Sequence, residues 1–428
     1  MMKTFNIGIV GLGTVGGGVY KLIKRKAALI KHKTGISLQV KAVYDKRPQV
    51  YKKIGISKKE IAPSYRDILC NPAIHCVVEL IGGAAVAKKI IIEAFKRGKD
   101  VVTANKALLA EEGKSIFDIV HRFKRQICFE ASVGGGIPIV KGLTEALISN
   151  RVHTILSIIN GTCNYILTRM AKDKMSFTDA LFIAQEKGYA EANPSFDIDG
   201  IDSAHKITLL AELAFGNRID FREVSCEGIS KIQQGDIAFA EQLGYVVKLL
   251  AIAKKTTEGI EVRVQPTLLP KSHILAHVND SYNAIYLMCD EVENMLFYGR
   301  GAGGKETASA VVSDIVDLAR ITCGNRERMF FPQLKYVHIK NMSSILSRYY
   351  LRFYAIDKPG VLAKISNVLG KHNVSISDVI QQERRVGRAV PLVLLTHETY
   401  ERNIQLAVRR IDKLSVIKGH SQIIRIEE

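Results

Sequence analysis

Seven cysteines are scattered singly through the 428 residues, and no two of them form a C-x-x-C pair. That absence excludes a disulfide framework or a zinc cage and points to a reducing compartment. Tryptophan is missing altogether, which by itself decides nothing. No apolar run is long enough to cross a bilayer: residues 76–87 are among the most apolar, and they carry Glu79. The first residues lead straight into a strand pattern without signal-peptide anatomy, so a cytoplasmic location is expected. An acidic surplus is missing too. Lys and Arg number 61 against 42 Asp and Glu, a formal net charge of +19 with a pI near 9.5. Such a balance can mark a nucleic-acid partner. Here the basic residues are spread over 21–33, 88–99, 384–388 and 409–413, and nowhere interleave with aromatics as in single-strand binders. A generally basic surface is the better reading, with neither nucleic acid nor membrane as partner. The length suffices for two or three domains with a sizeable core.

Against that basic background one stretch stands out. Residues 189–206, YAEANPSFDIDGIDSAHK, place Glu191, Asp197, Asp199 and Asp202 ahead of Lys206. Pro194 and Gly200 are turn formers, so 191–200 reads as a loop. From Ile201 the apolar residues fall at helical spacing, which puts Asp202 and Lys206 one turn apart on one face, acid before base. Carboxylates facing a lysine held by its own aspartate suit a small substrate with an ammonium group and a carbonyl to be protonated. A solvated acidic loop with a surface ion pair is the plainer alternative.

In chain order, residues 5–10 form an apolar strand followed at once by Gly11-Leu12-Gly13-Thr14-Val15-Gly16 and a long helical pattern. This is G-x-G-x-x-G in strand–turn–helix context. Gly11 permits the turn, Gly13 admits a pyrophosphate, and Gly16 lets helix pack on strand. The helix N-terminus offers free N–H groups to the phosphates. A second strand, 38–44, ends at Asp45-Lys46-Arg47. The acid suits the ribose hydroxyls of NAD and the two bases suit the 2′-phosphate of NADP, so preference stays open with a lean to NADP. Strands at 76–81 and 100–102 flank a helix around 87–97, and the second opens into Thr103-Ala104-Asn105-Lys106. Ligands bind beyond the carboxyl ends of parallel strands, so Lys106 reads either as a nicotinamide-side lysine or as a helix-starting surface residue.

Residues 127–131 read as a further strand, and Gly134-Gly135-Gly136 after it reads as a hinge or as a loop turning carbonyls onto a monovalent cation. Residues 143–147 look helical and 152–159 strand-like, and Asn160-Gly161-Thr162-Cys163-Asn164-Tyr165 is a polar turn entering a helix. A second glycine loop, 297–305, precedes a helix at 307–319 and can return amides to the cofactor. Residues 321–346 read as a linker. The tail alternates strand 349–356, helix 361–369, strands 374–379 and 390–396, helix 400–412 and strand 422–426, a ferredoxin-like βαββαβ module.

The ordered motifs GLGTVG, VVELIGG, VVTANKALLA, FEASVGGGIP, NGTCNYILT, GYAEANPSFDIDGIDSAHK, EGI, GRGAGG and TASAVVSDI resemble those of homoserine dehydrogenases over essentially the whole chain. The tail, DKPGVLAKISNVLGKHNVSISDVIQ with PLVLLTH, is similar to an ACT regulatory domain. The resemblance implies an α/β protein: a Rossmann-type NAD(P)-binding domain at 1–133, an α+β catalytic and dimerisation domain at 134–320, a linker at 321–346 and an ACT domain at 347–428. The helix at 302–320 is expected to return to the nucleotide domain. It implies reversible NAD(P)H-dependent reduction of aspartate 4-semialdehyde to homoserine, toward threonine and methionine. By position, Lys206 donates the proton and Lys106 assists, while Glu191, Asp197 and Asp202 hold the substrate and the catalytic lysine. Gly11, Leu12, Gly13, Thr14, Val15, Gly16, Arg47, Ala104, Lys106 and Gly303 contact the cofactor. Glu130, Val133, Gly135 and Ile137 match a monovalent-cation (Na+ or K+) site. Threonine is the expected effector at the tail, and a homodimer or homotetramer the expected assembly.

Three positions depart from the family pattern: Asn193 where aspartate is common, Glu306 where proline is usual, and residues 84–87, which lack a proline. Two rivals remain at this stage. A phosphorylating aldehyde dehydrogenase would need a cysteine nucleophile, for which Cys128 and Cys163 are the candidates. A non-catalytic amino-acid sensor would need neither lysine.

Overall fold

The computed structural model describes residues 3–324, 333–381 and 387–428. Positions 1–2, positions 325–332 of the expected linker and positions 384–386 of one basic run lie outside the described residues. The chain opens with β1 (Lys3–Val10), in which Phe5, Ile7 and Ile9 are fully buried. α1 (Thr14–Thr34) ends at Gly35, with Lys31, His32 and Lys33 in its last turn, where the helix dipole favours cations. β2 (Ile36–Tyr44) leads to the short helices α2 (Gln49–Ile54) and α3 (Tyr65–Cys70), the latter started by a Ser64–Asp67 capping box. β3 (Cys76–Glu79), α4 (Ala84–Lys96), β4 (Asp100–Thr103), α5 (Lys106–Phe123) and β5 (Ile127–Cys128) continue the alternation. These strands form one parallel sheet in the order β2-β1-β3-β4-β5. The order reverses between β1 and β3, which opens a crevice at their carboxyl ends. β5 is shorter than the strand expected over 127–131, because the chain turns at Glu130–Ser132 where the Glu130 carboxylate accepts the amides of Val140 and Lys141.

α6 (Ile139–Lys141) and a π-type turn precede β6 (Val152–Ile158). α7 (Gly161–Lys172) and α8 (Phe177–Glu186) are capped by Asn160 and Ser176. The acidic stretch contains one helical turn, α9 (Ser195–Ile198), rather than the continuous loop expected, and α10 (Ile201–Phe215) follows Gly200. Next come β7 (Ser225–Cys226), α11 (Gln234–Gln242), the long antiparallel pair β8 (Tyr245–Thr256) and β9 (Gly259–Pro270), then β10 (Tyr282–Cys289), β11 (Asn294–Arg300) and α12 (Gly304–Cys323). The tail supplies β12 (Leu346–Ile356), α13 (Val361–Lys371), β13 (Ile376–Ile380), β14 (Ala389–Thr396), β15 (Thr399–Tyr400), α14 (Glu401–Ile411) and β16 (Gln422–Ile426).

By packing, the chain divides into two units. The first holds the residues up to His153 with His205–Glu223 and Asn283–Val337. Its core joins β1, β2 and α1 to Ala308, Val311, Ile315 and Leu318 of α12. The second holds Thr154–Ala204, Val224–Tyr282 and His338–Glu428. Within it the sheet runs β6-β8-β9-β16-β12-β14-β13. The tail strands are antiparallel in the order β16-β12-β14-β13, and α13 and α14 bury Ile365, Leu369, Ile404 and Ile411 against Leu351, Phe353, Leu392 and Leu394. This is the ferredoxin-like module read from the pattern of the tail. β16 also pairs in parallel with β9, Arg425 opposite Thr267 and Ile426 opposite Leu268, so the tail sheet continues into β8 and β9. Among the described residues no helix is long and apolar enough to cross a membrane.

Candidate active site

At the end of β1 the chain turns at Gly11, whose φ is +99° and where an added Cβ would lie 2.5 Å from the Leu80 backbone. Only glycine fits both constraints. Leu12 is buried, and its N–H donates to Asp45 Oδ2 at 2.7 Å. Gly13 is the N-cap of α1 and provides no side chain of its own to the first-turn amides of Thr14 and Val15. Gly16 packs so closely on Gly11 that an added Cβ would meet its carbonyl oxygen at 1.9 Å. The start of α12 lies against the start of α1, since a Cβ on Gly304 would sit 2.7 Å from Thr14 Cγ2. Gly303 thus brings a second helix N-terminus to the first, an arrangement that fits the diphosphate of a dinucleotide. The Glu306 carboxylate folds back over Gly303, where a Cβ would meet Oε2 at 2.2 Å.

Asp45, which the sequence offers to the ribose hydroxyls of NAD, is buried with both oxygens occupied. Oδ2 takes Leu12 N–H and an Arg47 guanidinium N–H, and Oδ1 takes the Arg47 backbone N–H and Nε–H, at 2.7–3.0 Å. The Arg47 guanidinium holds the Asp45 carboxyl down to about 2 despite burial. An added Cβ on Gly13 would be 3.7 Å from the Arg47 guanidinium, so Arg47 stands at the glycine turn. The acid braces the loop, and the guanidinium lies beside the glycine turn.

The ends of β3 and β4 are tied together. Glu79 is fully buried, and its carboxylate accepts Ile81 N–H at 2.9 Å and the Thr103 hydroxyl at 2.7 Å. Burial pushes the Glu79 carboxyl up. Asn105 caps α5 by accepting Leu108 N–H at 3.1 Å and donates to the Gly83 carbonyl at 2.8 Å. Ala104 and Lys106, both partly buried, follow from that clamp, with Lys106 as the first residue of α5. α10 is held along α5 by a contact between His205 Nε2 and Glu111 Oε1 at 2.8 Å, and Arg218, just beyond α10, lies over the Phe117 ring at 5.1 Å. Arg218 also pairs with the buried Glu212 at 2.6 Å. Lys206, next to His205, is 7% exposed.

The acidic stretch closes on Asn160. Its Nδ2 donates to Asp197 Oδ1 at 2.7 Å and to Asp202 Oδ2 at 2.9 Å, while its Oδ1 accepts Cys163 N–H at 2.8 Å. Asp202 is buried at 4% exposure, one helical turn ahead of Lys206 on α10. Asp197 also takes the Thr162 hydroxyl at 3.2 Å. Glu191 is exposed, with its carbonyl taken by Gln185. The structure thus gathers Asp197 and Asp202 around one amide and leaves Glu191 at the rim. Asn193 accepts the N–H and hydroxyl of Ser195, a turn role that needs no charge. Sequence reasoning missed Asn160. Its signal was present: an asparagine directly before a helix is an N-cap.

The glycine run 134–136 folds onto the second glycine loop. Gly135, at φ +56°, would clash with the Gly301 oxygen at 2.4 Å if it bore a Cβ, and Gly136 N–H donates to the Arg300 carbonyl. Val133 and Ile137 are buried, and the carbonyls of Glu130, Gly134 and Ile137 each take one backbone amide, leaving a second lone pair apiece. The Glu130 N–H donates to Asp314 at 2.9 Å, and Lys141 pairs with Asp314 and Asp317. Burial raises Asp314 to about 8. Among the described residues no three His, Cys, Asp or Glu side chains are grouped to hold a metal. The loop therefore fits a monovalent cation only through backbone oxygens. The cysteine candidates do not suit nucleophilic chemistry: burial pushes the Cys128 thiol up, and Cys163 is buried with its thiol on the Asp197 carbonyl.

Comparisons with known proteins identify the family. Family models described as homoserine dehydrogenase, as homoserine dehydrogenase, NAD binding domain, and as ACT domain match residues 138–316, 11–130 and 349–416. The chain is 42% identical to a homoserine dehydrogenase of Neisseria gonorrhoeae, over 100% of this chain and 99% of that one. It is 40% identical to one of Pseudomonas aeruginosa over 100% of both. A crystal structure of a homoserine dehydrogenase from Thiobacillus denitrificans superposes with a TM-score of 0.94 at 40% identity, covering 100% of this chain and 99% of that one. A hyperthermophilic archaeal homoserine dehydrogenase in complex with NADPH superposes at 0.64 with 26% identity, over 74% of this chain and 97% of that one. The chain belongs to the homoserine dehydrogenase family.

Proposed function

We propose that the chain reduces L-aspartate 4-semialdehyde reversibly to L-homoserine in the cytoplasm, in threonine and methionine biosynthesis. The observation that carries this reading is the placement of buried Asp202 and buried Lys206 one turn apart on α10, with Asp202 fixed to Asp197 through Asn160. Bound NAD(P)H supplies the hydride. Gly11 to Gly16, Ala104, Lys106 and Gly303 hold it, and the start of α1 faces its diphosphate. Arg47 receives the 2′-phosphate, which favours NADP, because Asp45 is already saturated by Arg47 and Leu12. Lys206 gives its proton to the aldehyde oxygen as negative charge develops there, and its ammonium stabilises that charge before transfer. Asp202 orients Lys206, and Lys106 adds a second positive group. Asp197 and Glu191 bind the substrate ammonium.

Glu130, Val133, Gly135 and Ile137 hold a monovalent cation through backbone oxygens. The tail binds an amino-acid effector, threonine, and the protein works as a homodimer or homotetramer. The test is oxidation of NADPH and of NADH with aspartate 4-semialdehyde, each with and without L-threonine. Turnover with a preference for NADPH and slowing by threonine is the expected result. Absence of turnover with both coenzymes in folded protein would refute the reading.

A further inference from the structure

We propose that Asn160 is a positioning residue for the reaction: its single amide fixes the geometry of Asp197 and Asp202. The inference rests on the reading that Asp197 binds substrate and Asp202 orients Lys206. Three elements meet at this side chain, the start of α7, the turn α9 and the start of α10. Asn160 is 5% exposed and all its hydrogen-bonding capacity in this direction is used. Both amide hydrogens go to carboxylates, one on each, and the carbonyl oxygen faces the Cys163 N–H. The orientation of the amide follows from that chemistry, since the flipped group would point its oxygen at two carboxylates and its NH2 at a backbone donor.

Two carboxylates within hydrogen-bond reach of one nitrogen repel each other. A donor shared between them offsets that repulsion and holds the two oxygens at fixed places. Without it, Asp202 would no longer aim Lys206 and Asp197 would no longer be aimed at the substrate ammonium. A neutral carboxamide solves this problem with two donors from one atom. Serine offers only one hydrogen, and aspartate adds a third negative charge. The ionisable groups around this amide are Asp197 on α9, Asp202 on α10 with Lys206 one turn further along it, and the Cys163 thiol on α7, which donates to the Asp197 carbonyl at 3.1 Å. The Thr162 hydroxyl, 2.8 Å from the Tyr189 carbonyl, also lies 3.2 Å from the second Asp197 oxygen.

The experiment compares Asn160→Asp, Asn160→Ser and Asn160→Ala in the full-length protein, reading kcat and KM for aspartate 4-semialdehyde from about pH 5.5 to 9, with NADPH affinity and melting temperature beside them. Asp197→Asn and Asp202→Asn are measured first. If these two leave kcat/KM unchanged, the underlying site reading fails, and the Asn160 inference is overturned with it. Given their loss of activity, Asn160→Asp is expected to lower kcat/KM at neutral pH by roughly 10- to 100-fold, through KM and kcat together, with NADPH affinity unchanged. As pH falls, the new carboxyl takes a proton and can donate one hydrogen, so Asn160→Asp rises from below Asn160→Ser toward the level of that variant. Asn160→Ala shows no such recovery. Asn160→Ser keeps the helix cap but bridges only one carboxylate, so it loses activity without the acid recovery. A mere capping role gives the opposite pattern: the Asp and Ser variants, which retain the cap acceptor, would match the wild type at every pH. That result, or a loss in all three variants that tracks melting temperature alone, would overturn the inference.

Discussion

The contact that anchors the tail yields a prediction whose size follows from burial. Asp236 on α11 is 0% exposed and Arg352 on β12 is 3% exposed. The guanidinium reaches both carboxylate oxygens, at 2.5 and 3.2 Å, the Tyr350 hydroxyl adds a contact at 3.2 Å, and the Gln233 N–H another at 3.0 Å. Replacing Asp236 by Ala removes the carboxylate and leaves Arg352 charged in a dry interior. Breaking a buried pair from one side costs about 3–5 kcal/mol, far more than the pair itself contributes relative to well-packed apolar groups. At roughly 2–4 °C per kcal/mol for a body of this size, the transition of the second unit should fall by on the order of 10 °C. Asp236→Leu combined with Arg352→Met removes both charges together and should recover most of that loss. The assay is urea and thermal unfolding of the single and double variants, with proteolysis of the tail as a local readout. Turnover at 25 °C should stay near the wild type, since neither residue touches the substrate machinery. A melt of Asp236→Ala within about 1 kcal/mol of the wild type, or a double variant no better than the single, would refute the reasoning.

Three further outcomes follow from named contacts. Arg47→Ala should lower kcat/KM for NADPH by roughly 10- to 100-fold while changing that for NADH far less, because it removes the phosphate partner and bares Asp45; an unchanged coenzyme ratio contradicts the role given to Arg47. Glu212 is raised by burial to about 7 from an ordinary 4.5, although Arg218 pulls it the other way. The folded carboxyl holds its proton more tightly than the unfolded one, so stability should fall as pH rises from about 4.5 to about 7 and then level off; Glu212→Gln should lack this slope in urea melts at stepped pH. Glu306→Gln removes a negative charge from above Gly303, so NADPH should bind more tightly in a fluorescence titration; weaker binding would mean that the carboxylate supports the loop.

Much of the fold is legible in the sequence because its signals are local. The Gly11–Gly16 turn, the buried runs of β3 and β4 and the alternation of the tail each specify their element within a few residues. The pairing of β16 with β9 is not local, and nothing in Gln422–Ile426 names a partner more than 150 residues away. Glu130 shows the same limit on a smaller scale. Its residue type continues a strand pattern, yet its carboxylate is drawn to the amides of Val140 and Lys141, and the strand stops. At the site, Lys206 and Asp202 are legible from helical spacing, whereas the saturation of Asp45 is a property of four contacts that no spacing reveals. Asn160 lies between these cases. Its cap is readable before a helix, and its bridge between Asp197 and Asp202 appears only when three elements come together.

The central claim is that Lys206 is the proton donor to the substrate carbonyl, and the most direct measurement is single-turnover reduction of aspartate 4-semialdehyde by the NADPH complex of Lys206→Ala beside the wild type. The account predicts a rate lower by roughly 10²–10⁴-fold with NADPH affinity preserved. A rate near that of the wild type in folded, coenzyme-bound protein would contradict it.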